Sequence, residues 1–141
     1  MKINLKRTDN ALAMEAENAD GNKIQMDASE QAGGNASGVS PMESVLMAAA
    51  GCSSIDILDI LKKQRLEVGD LKVEVEGERA EDPPKVFTDI KMIFRIEGEL
   101  PEAKVKRAAE LSITKYCSVS KMLEKTAQIS YDVYLNGSRI V

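Results

Sequence analysis

Two residues able to carry nucleophilic or redox chemistry stand out in this sequence. One is Cys52, in "SPMESVLMAAAGCSS" (Ser40 to Ser54); the other is Cys117, in "KYCSVSKM". They are the only cysteines, and there is no histidine. That excludes every Ser–His, Cys–His and His-ligated metal mechanism the chain could supply alone. Two thiols also make a poor zinc site, which usually takes four N or S ligands, so no metal is expected. Thiol chemistry remains. The thiolate is the nucleophile, and a free cysteine has a pKa of about 8.5, so a reactive sulfur needs a positive neighbour or a helix N-terminus. Free cysteine is also among the most buried residue types. By residue type alone, the two sulfurs are either small core hydrophobes or a redox pair.

The elements that carry them can be read from the sequence. Ser40 is a good N-cap, Pro41 suits the first helical position, and Glu43 stands where a capping box needs its acid. A long helix is predicted from there to Arg65 or Leu66, about 25 residues in all. Apolar or small residues cover most of its circumference between Val45 and Leu61, which predicts burial on several sides, between layers or at a subunit interface. Cys52 lies about three turns in, so its own helix dipole helps little. Arg7 is the only arginine before Arg65 and is the upstream candidate cation. Asp56 and Asp59 share the helical side of Cys52. They would raise a thiolate's pKa by repulsion, or form a solvated or salt-bridged flank. Cys117 closes an amphipathic helix that starts at Pro101. A short second helix follows, with Ser118 or Ser120 as its cap, and its N–H groups could face the sulfur.

The rest reads as strands and loops. Residues 1–28 alternate as a three-strand antiparallel meander, with Ile3 and Leu5 facing inward and a turn at Asp20-Gly21. Ser29 to Val39 reads as a Gly-rich connector. Two further strands follow the long helix, the second with a bulge between Phe87 and Ile90, and a last strand runs through Ile129 and Leu135. The expected class is α+β with mostly antiparallel sheets packed around the long central helix. A single domain over residues 1–141 is expected, built from the meander (1–28), the helix (40–66) and the C-terminal strands and helices (69–141). The chain has 141 residues, net charge −4, no basic stripe and 4 % aromatics. That combination argues against nucleic-acid binding, which needs phosphate neutralisation and often stacking. The N-terminus lacks the apolar core of a signal peptide, and no run is read as reaching the roughly 18 apolar residues of a membrane span. A cytoplasmic location without membrane association is the expectation.

"GVSPMESVLMAAAGCSSIDI" followed 65 positions after Cys52 by "KYCSVSKML" resembles the OsmC/Ohr family, and most of all its YhfA-type branch. The resemblance covers nearly the whole chain. It implies an intertwined homodimer and a cysteine-based peroxidase for organic hydroperoxides. Carried over, Cys52 is the peroxidatic cysteine that becomes a sulfenic acid, and Cys117 resolves it to a disulfide. An external dithiol, often lipoyl-linked, restores the thiols, and no cofactor is implied. The family's catalytic acid stands ten residues before the first cysteine, a place held here by Met42. Glu43 is the nearest carboxylate, one position and about 100° of helix away, and Arg7 is the candidate for the thiolate-steadying arginine. The alternative reading is a member that keeps the fold but acts as a redox sensor or binds an apolar small ligand.

Overall fold

Alternation in the first 26 residues produces three antiparallel strands in the computed structural model, which describes residues 1–141. They are β1 (Ile3–Arg7), β2 (Met14–Asn18) and β3 (Lys23–Met26). Asn18 accepts the Asp20 and Asn22 N–H groups at 3.0 and 2.9 Å and so closes the β2–β3 turn. Gly21 there holds φ 82°, a left-handed value that glycine adopts without steric cost. The expected inward face of β1 is not covered: Ile3 and Leu5 are both exposed, as is Ile24 on β3. Leu5, Ala16 and Ile24 lie in register across the sheet, so the alternation is real but its apolar face has no partner within this unit.

The predicted connector is instead tied down by Asp27. Its carboxylate accepts the N–H groups of Ala28, Asn35 and Ser37 and the Ser37 hydroxyl, at 2.7–3.0 Å. The chain divides into two compact units at this level, residues 1–45 and 46–141.

The second unit is built on a four-stranded sheet in the order β4–β5–β6–β7, with β4 at Asp70–Arg79, β5 at Phe87–Glu97, β6 at Gln128–Leu135 and β7 at Ser138–Arg139. The bulge is present: the β4–β5 register shifts at Glu78/Arg79, opposite Phe87 and Asp89. One pairing departs from the antiparallel expectation. β5 and β6 run parallel, because α2 (Glu102–Leu111), a π-helical turn (Ser112–Tyr116) and α3 (Ser118–Leu123) form the crossover between them. The two-residue β7 was not anticipated. Met92, Phe94 and Ile96 of β5, Val133 of β6 and Val105, Ala108 and Ala109 of α2 are fully buried. Each large apolar side chain so buried contributes about 1.5–3 kcal/mol.

The long helix α1 spans Pro41–Lys63 and is shorter at its C-terminus than predicted. Arg65 takes φ 59° and Leu66 N–H donates to the Leu61 carbonyl, a left-handed close that ends the helix. Only one stripe of it is buried: Ala49, Ser53, Ile57 and Leu61, at steps of four. Met47, Ile55 and Leu58 are exposed, so the single chain does not bury the helix on several sides. By length and composition alone α1 is long and apolar enough to cross a membrane, a test that the core helix of a soluble protein also passes. Its apolar character comes from many small residues rather than a run of large ones.

Candidate thiol site

Cys117 stands where two helical segments change direction. Its φ of −64° and ψ of 103° take it out of the helix, and its own side chain caps α3. The cap is therefore the sulfur itself, not Ser118 or Ser120. Sγ accepts hydrogen bonds from Ser120 N–H (3.4 Å), Ser120 Oγ (3.2 Å) and Ser53 Oγ (3.3 Å). Ser112 Oγ donates to the Ser53 carbonyl at 3.0 Å and fixes that stretch of α1. Ser53 Oγ also lies 3.9 Å from Met92 Sδ, which places the buried stripe of α1 over β5. Cys117, Ser53, Ser112 and Ser120 are all fully buried.

Cys52 reaches the same turn from α1 and is only partly buried. The N–H groups of Val119 and Ser118 face its sulfur, and its thiol is hydrogen-bonded to Cys117. The first-turn N–H groups of α3, which have no partner inside the helix, are thus divided between two sulfurs. Burial pushes the Cys52 thiol up and the Val119 N–H pulls it back; the Cys117 sulfur, as hydrogen-bond partner and as charge, leaves it above its ordinary value. Burial also pushes Cys117 up. There the Ser120 and Ser53 hydroxyls, the Ser120 N–H and the Cys52 thiol outweigh it and hold Cys117 below the ordinary value. The charge of a half-ionised pair therefore rests on Cys117, held by hydrogen bonds.

A carboxylate oxygen of Asp56 lies within 4.8 Å of both sulfurs. The two aspartates behind Cys52 behave differently. Asp59 pairs with Lys63 at 2.6 Å, as a salt-bridged flank should. Asp56 does not, and its Oδ2 is buried with no hydrogen-bond partner. Burial, together with the Asp59 charge, holds Asp56 above the usual carboxylate range. Two thiols and one carboxylate fall short of the four N or S donors a structural zinc takes. Next to this group is a cavity of about 410 Å³ lined by Asp56, Asp59, Ile60, Lys63, Leu111 and Tyr116.

The other two predicted site residues belong to the first unit. Glu43 is occupied by the capping box: Ser40 N–H donates to its Oε2 at 2.6 Å, and its own N–H donates to Ser40 Oγ at 3.2 Å. The Ser40 N–H and hydroxyl lower its pKa. Arg7 sits at the end of β1, opposite Met14. The structure thus brings Cys52 and Cys117 together within one unit and surrounds them with Ser53, Ser112, Ser120 and Asp56. In the sequence Ser53 and Ser112 carry no signal of their own, Ser120 shows only as a cap, and Asp56 shows either as a charge on the helical side of Cys52 or as a solvated or salt-bridged flank.

Residues 33–132 match the family model described as OsmC-like protein. The chain is 48% identical over 120 residues to Protein YhfA of Escherichia coli K12, covering 83% of this chain and 87% of that protein. A hypothetical protein from Aquifex aeolicus VF5 has a similar structure, with a TM-score of 0.78, 31% identity and 96% of both chains covered. An organic hydroperoxide resistance protein OsmC from Legionella pneumophila shares the fold at a TM-score of 0.72, with 17% identity over 95% of this chain and 97% of that one.

Proposed function

Since the chain belongs to the OsmC-like protein family, we propose that it is a thiol peroxidase that reduces organic hydroperoxides through Cys52 and Cys117. The observation that carries this reading is the shared turn: two sulfurs 65 positions apart in the chain meet at the start of α3, with hydrogen bonds suited to a thiolate. The Legionella pneumophila protein that shares the fold is an organic hydroperoxide resistance protein, and we extend that role to this chain.

Cys52 is the attacking sulfur because it is the partly exposed one; Cys117 is closed off. When the pair has lost one proton, the remaining one sits on Cys52 and the charge on Cys117. The Cys117 thiolate takes that proton through the hydrogen bond between them, which leaves Cys52 as the nucleophile facing the Val119 and Ser118 N–H groups. This supplies a base without histidine. Cys52 then attacks the distal peroxide oxygen, the O–O bond breaks, and Cys52 becomes a sulfenic acid. Cys117 attacks that sulfur, water leaves, and the disulfide forms. An external dithiol, such as a lipoyl group, returns both thiols.

We further propose a homodimer, in which a second copy covers the exposed Met47, Ile55 and Leu58 stripe of α1. Apolar residues in such a row are characteristic of subunit interfaces. Sedimentation analysis tests it: a monomer at micromolar concentration contradicts it.

The functional test is thiol counting after addition of cumene hydroperoxide to the wild type, Cys52→Ser and Cys117→Ser. The wild type loses two thiols per chain rapidly, and Cys117→Ser yields a trappable sulfenic acid. Slow loss, equal in all three proteins, contradicts the peroxidase reading.

A further inference from the structure

The peroxidase reading leaves one proton unassigned. When the O–O bond of a hydroperoxide breaks, its electron pair leaves on an alkoxide, a strong base that needs a proton as it forms. The chain has no histidine to give it, and the Glu43 carboxylate is engaged in the cap of α1. Asp56 is the one side chain that both lines the cavity beside the site and brings a donor atom within 4.8 Å of the two sulfurs.

We propose that Asp56 is the proton donor to the departing oxygen, and that the cavity it lines holds the organic group of the hydroperoxide. The inference rests on the peroxidase reading. Asp56 Oδ2 is buried and unpartnered, which an ionised carboxylate tolerates poorly and a neutral carboxyl tolerates better. Cys52 lies four residues before it on α1, so the two side chains share one helical face. The charged and titratable groups around it are Asp59 and Lys63 on α1, paired with each other, Cys52, and Cys117 and Tyr116 from the facing turn. Asp59 and burial both favour the protonated form of Asp56. Ile60 and Leu111 give the cavity apolar walls, and its roughly 410 Å³ is the scale of a small-molecule site. A compact alkyl or aryl hydroperoxide is the matching substrate class.

The proton count closes over one turnover. The reactive form has Cys52 as thiol, Cys117 as thiolate and Asp56 as carboxylic acid. The Cys52 proton passes to Cys117; the Cys52 sulfur takes the distal OH of the peroxide; the alkoxide takes the Asp56 proton and leaves as alcohol. The Cys117 thiol then displaces the sulfenic OH, and its proton departs with that OH as water. Asp56 is left as carboxylate beside a disulfide. Reduction by a dithiol returns two thiols, and the Cys117 proton passes to Asp56, which restores the starting state.

The experiment compares leaving groups. Oxidation of Cys52 is followed in the wild type, Asp56→Asn and Asp56→Glu with two oxidants, tert-butyl hydroperoxide and peroxyacetic acid. The first expels a basic alkoxide; the second expels a carboxylate that needs no proton. Asp56→Asn slows the alkyl hydroperoxide reaction by about 10²–10³, the usual scale of general acid catalysis, and leaves the peracid reaction within about threefold of the wild type. Asp56→Glu recovers part of the alkyl rate. The wild-type alkyl rate falls as the pH rises through the Asp56 pKa, and that fall is missing in Asp56→Asn. Equal losses with both oxidants, or no loss with either, overturn the assignment while leaving the peroxidase intact. A wild type inert to both oxidants overturns the peroxidase reading itself.

Discussion

Ser53, the residue after Cys52, gives its hydroxyl hydrogen to Cys117 Sγ across 3.3 Å. One residue of α1 thus touches the sulfur that caps α3, and the placement of Cys52 depends on the same turn of helix. Ser112 secures the arrangement by donating to the Ser53 carbonyl. The polar groups that hold this junction are all buried, so losing any one leaves a partner unsatisfied, at about 1–3 kcal/mol.

Removing a donor from the thiolate moves its pKa in a known direction. Ser120 and Ser53 both lower Cys117. In a Cys52→Ser background, the thiolate absorbance of Cys117 is expected to rise at higher pH when either Ser120→Ala or Ser53→Ala is added. Ser120→Ala has the larger effect, because its hydroxyl is the strongest of the lowering influences. An unchanged titration curve contradicts the hydrogen-bonded thiolate.

Glu43 is expected to matter for stability and not for rate. Its carboxylate accepts the Ser40 N–H in a reciprocal cap. Loss of the Glu43 half of the capping box leaves the Ser40 N–H without its partner and weakens the start of α1. Urea unfolding of Glu43→Ala should show that loss, while Cys52 oxidation by cumene hydroperoxide proceeds at the wild-type rate. A rate drop beyond about tenfold with intact folding returns Glu43 to the catalytic role that the family resemblance implies.

Asp27 gives the first unit an acid-sensitive anchor. Its pKa is lowered, chiefly by the Ser37 N–H, against the opposing effect of burial. A depressed carboxylate contributes stability that is present above its unfolded pKa and lost as the pH falls through its folded value. Asp27→Asn should therefore unfold more easily than the wild type at neutral pH. The two proteins converge at pH values below the usual carboxylate range. Parallel stability curves across that range contradict the anchor.

Much of this was legible in the sequence, for reasons that are local. The Ser40–Pro41–Glu43 cap, the Asp20-Gly21 turn and the β5 bulge depend on neighbours a few residues apart, and each formed as predicted. The Cys-Ser-Val-Ser junction marked a sulfur at a helix start, because the helix from Pro101 ends there and serines that favour helix starts follow it. Other features depend on what packs from elsewhere. Ser53 looks like any small helix residue until Cys117, 64 positions away, arrives over it. Asp56 and Asp59 are equivalent by helical spacing, yet only Asp59 has Lys63 one turn on to pair with. The alternation of β1 marks an apolar face without saying what covers it, and Ile3 and Leu5 are exposed. The parallel β5–β6 pairing follows from the crossover helices between them, which periodicity within either strand does not report.

The most direct test of the central claim is peptide mapping of the protein after one equivalent of organic hydroperoxide, under non-reducing conditions. A single Cys52–Cys117 disulfide within each chain is the expected product, formed at the rate of peroxide loss and removed by a dithiol. Over-oxidised Cys52 beside an unchanged Cys117, or a disulfide only between chains, contradicts it.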